Sequence, residues 1–358
     1  MHSALISRRY LGAVRSRLPS YVVIEEGALE SLPEALEELG CRKLLLVTDE
    51  IVWGLLGGRV EGVLRGTAEL AVSLVRESSY PTVDSVRAVI TERGPCAVVG
   101  VGGGRPIDMA KYAAFLEGLP FVSVPTALSH DGFASPIVAL KDEKGNPVSL
   151  FTRPPAAVVV DLDVVSKAPR RLLASGVGDI LAKLTSVADA RLAQREVGER
   201  IPEAALEMAE SAYRILASRI DELAQWSAEG VRLLAEAGLL AGLAMAVAGS
   251  SRPCSGSEHL FSHALDKLFP GRDSLHGEQV GVGAVVAAYL HGLDWEGLRR
   301  MLRKVGAPTT VAELGVTLEQ AAQALELAPR LRDRYTILHK LRLSREEAAR
   351  ALREAGVA

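Results

Sequence analysis

With 358 residues, 48% of them hydrophobic, the chain can bury a large core and is long enough for two domains of ~150 residues each. Its formal net charge is −3 and acids and bases are mixed along it, which excludes the strongly basic face of a nucleic-acid-binding protein. Cys41, Cys96 and Cys254 are odd in number, widely spaced and without a C-x-x-C pair, so a reduced, cytoplasmic protein is the simplest reading.

The N-terminus lacks the charged, then apolar, then small-residue order of a signal peptide. The most apolar stretch, AGLLAGLAMAVAG from Ala237 to Gly249, is shorter than the ~20 residues of a membrane span. It reads as a buried helix, and no membrane insertion is expected. Asn146 is the one asparagine in the chain, a depletion of thermolabile amides that suggests a thermophile.

In chain order, Lys43–Thr48 (KLLLVT) predicts a buried strand ending at Asp49, and Leu70–Val75 a second. Val83–Glu92 predicts the helix that follows. Ala97–Val101 is a third strand leading into a glycine loop, with a helix starting at Pro106, a residue suited to the first helical turn. Phe121–Val124 is the next strand and stops at Pro125. Apolar strands separated by helices indicate a parallel sheet covered on both faces.

IVALKDEKGNPVSL, from Ile137 to Leu150, predicts a β-hairpin with a polar turn, and Ala157–Val160 the last strand. Beyond Ser166 the spacing is helical, as in Pro202–Trp226, Val231–Val247, Val280–Leu290 and Leu318–Leu325. The expected fold is therefore an α/β, Rossmann-like parallel-sheet domain over residues 1–165 and an all-α domain over 166–358. The active site is expected in the cleft between them.

The glycine loop VVGVGGGRPIDMAK spans Val98 to Lys111. It is not a G-x-G-x-x-G fingerprint, because Arg105 stands where the last glycine belongs, and it lacks the Gly-Lys-Ser/Thr of a P-loop. A strand, a glycine turn and a helix N-terminus still make an anion site, with Gly102, Gly103 and Gly104 exposing backbone N–H groups and Arg105 adding a cation. The alternative is a tight structural turn. Asp49, at the same sheet edge, is either a ribose hydrogen-bond acceptor or a helix cap. VPTALSHDGFAS places Thr126, Ser129, His130, Asp131 and Ser135 just past a strand, as a cleft wall or a solvated loop.

His259 and His263 are four apart and share a helix face, and His276 follows a Pro-Gly turn. H-E-x-x-H is absent, which removes the zinc-protease reading. Spacing nominates His259 and His263 as a metal pair with His276 third, the alternative being core or capping histidines. Asp179, after two glycines in SGVGDILAKL, is an acidic partner or simply a helix N-terminal residue. Two histidines and a carboxylate would leave an open position on Zn2+ for a substrate oxygen, the requirement of alcohol–ketone interconversion.

Together GGGRPIDMAK, PTALSHDGFAS, SGVGDILAK, SGSEHLFSHAL and LHGEQVGVG resemble the superfamily of glycerol dehydrogenases, iron-activated alcohol dehydrogenases and dehydroquinate synthases. The pattern P-T-A-x-S-H-D-G is most similar to the sn-glycerol-1-phosphate dehydrogenases, and the resemblance runs from Tyr21 to about Gly292. It implies that Gly104, Arg105, Pro106, Ile107 and Asp108 bind the pyrophosphate–nicotinamide part of NAD(H) or NADP(H). Thr126, Ala127, Leu128 and Ser129, with Ser135, complete that site, and Asp49 takes the adenosine ribose. It implies one Zn2+ on Asp179, His259 and His276, with Asp131, Asp179 and His263 as the catalytic and substrate-contacting set. His263 thus moves from metal ligand to substrate contact and proton relay. Arg105-Pro106 departs from relatives, which commonly carry small or hydroxyl residues there.

The implied reaction is reduction of dihydroxyacetone phosphate by NAD(P)H to sn-glycerol 1-phosphate, the glycerol backbone of archaeal membrane phospholipids, by a cytoplasmic homo-oligomer. Lys183, Arg252, Lys267 and Arg272 are the candidate cations for the substrate phosphate. The competing readings are a polyol dehydrogenase without phosphate specificity, a dehydroquinate synthase, and a non-catalytic nucleotide-binding protein on the same fold.

Overall fold

The computed structural model describes residues 18–142 and 147–358; the polar hairpin turn with Asn146, and the N-terminal stretch read for a leader, lie outside the described residues. Six strands form one fully parallel sheet: β1 Tyr21–Glu25, β2 Lys43–Thr48, β3 Glu69–Leu74, β4 Ala97–Gly102, β5 Phe121–Pro125 and β8 Ala157–Asp161. Their order is β1-β8-β5-β4-β2-β3. β6 Ile137–Lys141 and β7 Pro147–Phe151 make a separate antiparallel hairpin, in the place the sequence predicts.

Side chains alternate across the sheet, and both faces are buried. Leu44, Leu46, Val99, Val101, Val122, Val124 and Val159 pack under α1 Leu32–Glu38 and α2 Glu50–Leu64. Leu45, Val47, Val98, Val158 and Val160 face α3 Tyr80–Arg93 and α4 Gly104–Leu116. This two-sided burial produces the near-continuous apolar runs of the sequence. β1 escaped that reading because it is an edge strand, half-exposed and paired only with β8. The helix expected to start at Pro106 begins two residues earlier, at Gly104. Proline is tolerated at the third position because N–H groups of the first turn have no intrahelical acceptor.

After β8 the chain is helical: α5 Leu162–Val165, α6 Arg170–Leu181, α7 Lys183–Val197, α8 Glu203–Ser218, α9 Ile220–Leu223 and α10 Ala228–Ala248. Then follow α11 Ser257–Leu268, α12 His276–His291, α13 Trp295–Lys304, α14 Leu318–Leu327, α15 Ile337–Leu341 and α16 Arg345–Glu354. The sheet face under α4 and the helical region share one continuous apolar core. α12, read as either core or interface, is almost wholly buried and serves the core. α10 is the one helix among the described residues long and apolar enough to cross a membrane. Its Gly238 and Gly242 lie directly against Phe133 and Ala134, so it packs on the segment that follows β5.

The cysteine reading needs correction. Cys41 and Cys96 are joined by a disulfide, with Cα atoms 5.5 Å apart, and only Cys254 is free and buried. The two are 55 residues apart in sequence. They nevertheless precede β2 and β4, which are adjacent strands, so the sheet order brings them together. The cysteines therefore give no support to a reducing compartment, and disulfides do occur inside cells of hyperthermophiles.

Candidate active site

The strand order reverses between β2 and β4, so their carboxyl ends open the crevice where ligands bind in doubly wound sheets. Asp49 follows β2 there, the glycine loop follows β4, and the polar run follows β5. Asp49 is the N-cap of α2, its Oδ1 accepting the Val52 N–H at 2.9 Å. Gly102 has φ 149°, and a Cβ on it would lie 2.7 Å from Pro106 Cγ. A Cβ on Gly104 would meet His130 Nε2 at 2.5 Å. No side chain caps α4, so its first amides are left for an anion. Arg105 is exposed beside them.

The rest of the cofactor wall is held by backbone and buried ions. The Thr126 N–H donates to Gly102 O at 2.9 Å. Leu128 and Ser135 are buried, and Ser135 Oγ accepts the Ile137 N–H. Asp108 accepts the Ala139 N–H at 3.1 Å and pairs with Lys111 at 3.7 Å. Burial pushes the Asp108 carboxyl up and pulls the Lys111 ammonium down. Lys111 Nζ also donates to the carbonyls of Gly132 and Ile137, at 2.6 and 2.8 Å. This pair fastens α4 to the hairpin.

Asp179, His259 and His276 converge: one potential ligand atom from each lies within 4.8 Å of the others. His263 is not in this cluster; its ring centroid is 6.2 Å from that of His276. Spacing alone had paired His259 with His263, whereas the set implied by the resemblance is the one that the fold assembles. Asp179 is not at a helix start but near the end of α6. Its two preceding glycines serve packing. A Cβ on Gly176 would lie 1.8 Å from Leu128 O, and one on Gly178 would lie 2.5 Å from Gly277 O. Only at these glycines can α6 reach both the β5 exit and the start of α12.

Hydrogen bonds leave Nε2 of both histidines for a ligand. His259 Nδ1 donates to Glu258 Oε1 at 2.8 Å, and Glu258 is itself held by the Gly256 N–H and the Thr185 hydroxyl. Ser262 Oγ donates to Gln279 Oε1 at 2.6 Å, so it accepts from His276 Nδ1 at 3.3 Å. Gln279 is fixed in turn by Asp266 and Ser274, both at 3.0 Å. Such outer partners set ring orientation and tautomer at metal sites. Burial and the neighbouring His259 bring His276 down to about 3, so it is a neutral imidazole. Burial opposes charge on His259, but Asp179 and Glu258 outweigh it and raise the imidazole.

Lys183 had been a candidate for substrate phosphate. The structure instead buries it completely, with Nζ 2.8 Å from Asp131 Oδ2, 3.0 Å from Asp179 Oδ1 and 3.3 Å from Cys254 O. Arg252 is likewise committed, to Glu199 and to backbone carbonyls of Asp189 and Tyr335. Lys267 is exposed, and Arg272 turns back to the carbonyl of Phe269. A cleft of about 240 Å³ borders the Asp–His–His cluster, lined by Asp108, His130, Asp131, Ser135, His263 and Arg332 among others. His130, Glu258 and Arg332 were not assigned from the sequence. Glu258 could have been, as the residue next to His259; Arg332 stands in no motif.

A parallel-sheet domain followed by a helical region with this cluster is the architecture of the iron-containing alcohol dehydrogenases, whose family profile matches residues 23–169. A probable glycerol dehydrogenase from Sinorhizobium meliloti superposes with a TM-score of 0.78 at 26% identity, covering 94% of this chain and 96% of its own. The NAD(P)+ glycerol-1-phosphate dehydrogenase of Thermofilum pendens is 63% identical over 96% of this chain and 99% of its own length. That of Hyperthermus butylicus is 41% identical over the same shares. The chain belongs to the glycerol-1-phosphate dehydrogenase family, and it is an oxidoreductase.

Proposed function

We propose that the protein reduces dihydroxyacetone phosphate to sn-glycerol 1-phosphate with NADH or NADPH, supplying a glycerol backbone for archaeal lipids. The convergence of Asp179, His259 and His276 beside the glycine-loop crevice carries this reading. Residues up to Val165 would hold the nucleotide, and those from Ser166 onward the metal and substrate. The fit to NAD(P)H rests on the uncapped start of α4 and the side-chain-free turn at Gly102–Gly104, with Asp49 one strand away for the ribose. The fit to zinc rests on one carboxylate and two imidazoles whose Nδ1 atoms are engaged elsewhere.

Bound at those three residues, zinc would act as a Lewis acid on a ketone carbonyl, and bound NAD(P)H would supply the hydride. The chain's own residues prepare the site. Lys183 keeps the carboxylates of Asp131 and Asp179 ionised and apart, while the Asp131 N–H donates to Asp179 Oδ2 at 2.9 Å. Asp131 and His263 line the cleft, where they contact the substrate. Burial and the charge of Arg332 hold His263 well below its ordinary value. As a neutral imidazole it relays a proton to the product oxygen.

Turnover of dihydroxyacetone and its phosphate, measured side by side, tests the substrate. The reading predicts a strong preference for the phosphate; equal turnover would favour a polyol dehydrogenase. His263→Ala tests the relay, and unchanged turnover with an unchanged pH profile would end that assignment.

A further inference from the structure

Two arginines reach the cleft region from the segment between α14 and α15. Arg332 lines the cleft with Ser149, Ser251, Ser255 and His263, and its Nη2 donates to Ser149 Oγ at 2.8 Å. Arg334 donates to Ser255 O at 2.6 Å and to Ser251 Oγ at 2.9 Å. Among the described residues neither has a carboxylate within ion-pair distance. Burial pulls both guanidinium groups below their ordinary value, Arg334 to about 10, with Arg332 adding to its shift.

A buried framework sets their positions. Asp189 accepts the N–H groups of Ser257 at 2.7 Å and Ile337 at 2.6 Å, tying the start of α15 to the start of α11. Arg252 donates to the Tyr335 carbonyl. Positive charge held in a half-buried cleft without a counter-charge is costly unless an anion arrives. The metal-ligating cluster occupies another part of the same cleft, and His263, close to His276, feels the charge of both arginines.

Resting on the reading of the substrate as a phosphorylated ketone, we propose that Arg332 binds the substrate's phosphate and determines specificity for it. Ser149 orients the guanidinium, and Arg334 is a positioning residue that holds the Ser251–Ser255 wall. Arginine suits the task because its planar fork offers two parallel donors to a phosphate.

The test compares kcat/KM for dihydroxyacetone phosphate and dihydroxyacetone at saturating NADH, in the zinc-loaded wild type, Arg332→Gln and Arg332→Lys. Inhibition by inorganic phosphate is measured on the same proteins. Arg332→Gln should cut the preference for the phosphorylated ketone about tenfold to a hundredfold, mainly through KM, the loss expected for charge-assisted hydrogen bonds. It should weaken phosphate inhibition equally and leave KM for NADH unchanged, and Arg332→Lys should restore part of the preference. A retained preference with unweakened phosphate inhibition in both variants would overturn the assignment. A raised KM for NADH in place of one for the ketone would move the anion to the nucleotide and also overturn it. A wild type without preference overturns the functional reading itself, before any variant is made.

Discussion

A lysine ammonium enclosed by two carboxylates cannot be removed at small cost. Lys183→Met would leave Asp131 and Asp179 facing each other in a buried site. The expected loss is about 3–5 kcal/mol, as for other broken buried ion pairs, read as a lower denaturant midpoint in the metal-free protein. An unchanged midpoint would show that the pair is not formed. The pH dependence follows from the two shifts. Burial opposes ionisation of Asp179, but Lys183 and His259 pull its carboxyl well below the ordinary value, so its contribution is present above about pH 4 and lost as pH falls further. Burial also opposes charge on Lys183, yet Asp131 and Asp179 raise it, so its contribution is full below about pH 10. The penalty of the variant should therefore be constant between about pH 5 and 9. The four-residue spacing of Asp179 and Lys183 was legible in the sequence. The partnership of Asp131 with both was not, because it depends on packing after β5.

At the scale of elements, site geometry depends on how closely α6 and α12 approach. Gly178→Ala would drive a methyl group to 2.5 Å from the Gly277 carbonyl and push the start of α12, with His276, away from Asp179. Overpacking of this kind costs about 1–3 kcal/mol. The informative readout is chelator competition: zinc should be lost more readily than from wild type, and equal retention would contradict the account. The parallel strands were legible because burial on both faces leaves continuous apolar runs. The glycines of SGVGD were legible as a motif but not in role, since their contacts lie across the chain at Leu128 and Gly277. The boundary of α4 was missed for a local reason, an N-terminal turn that accepts proline at its third position.

For the molecule as a whole, the disulfide and the site lie at opposite ends of the same strands. Cys41–Cys96 joins the starts of β2 and β4, while the crevice opens at their carboxyl ends. Cys41→Ser should therefore lower stability by about 2–4 kcal/mol, measured as a fall in thermal midpoint, without altering KM or kcat. A changed KM would show that the two ends are coupled. Shared core between sheet and helices was foreseeable from the absence of a linker; its bridging by cysteines was not, because strand order is invisible in cysteine spacing.

The measurement that bears most directly on the account is NAD(P)H oxidation with dihydroxyacetone phosphate, before and after complete chelation, with chiral analysis of the product. The account predicts sn-glycerol 1-phosphate, activity abolished by chelation and restored by zinc. Activity surviving full metal removal, or the opposite enantiomer as product, would contradict it.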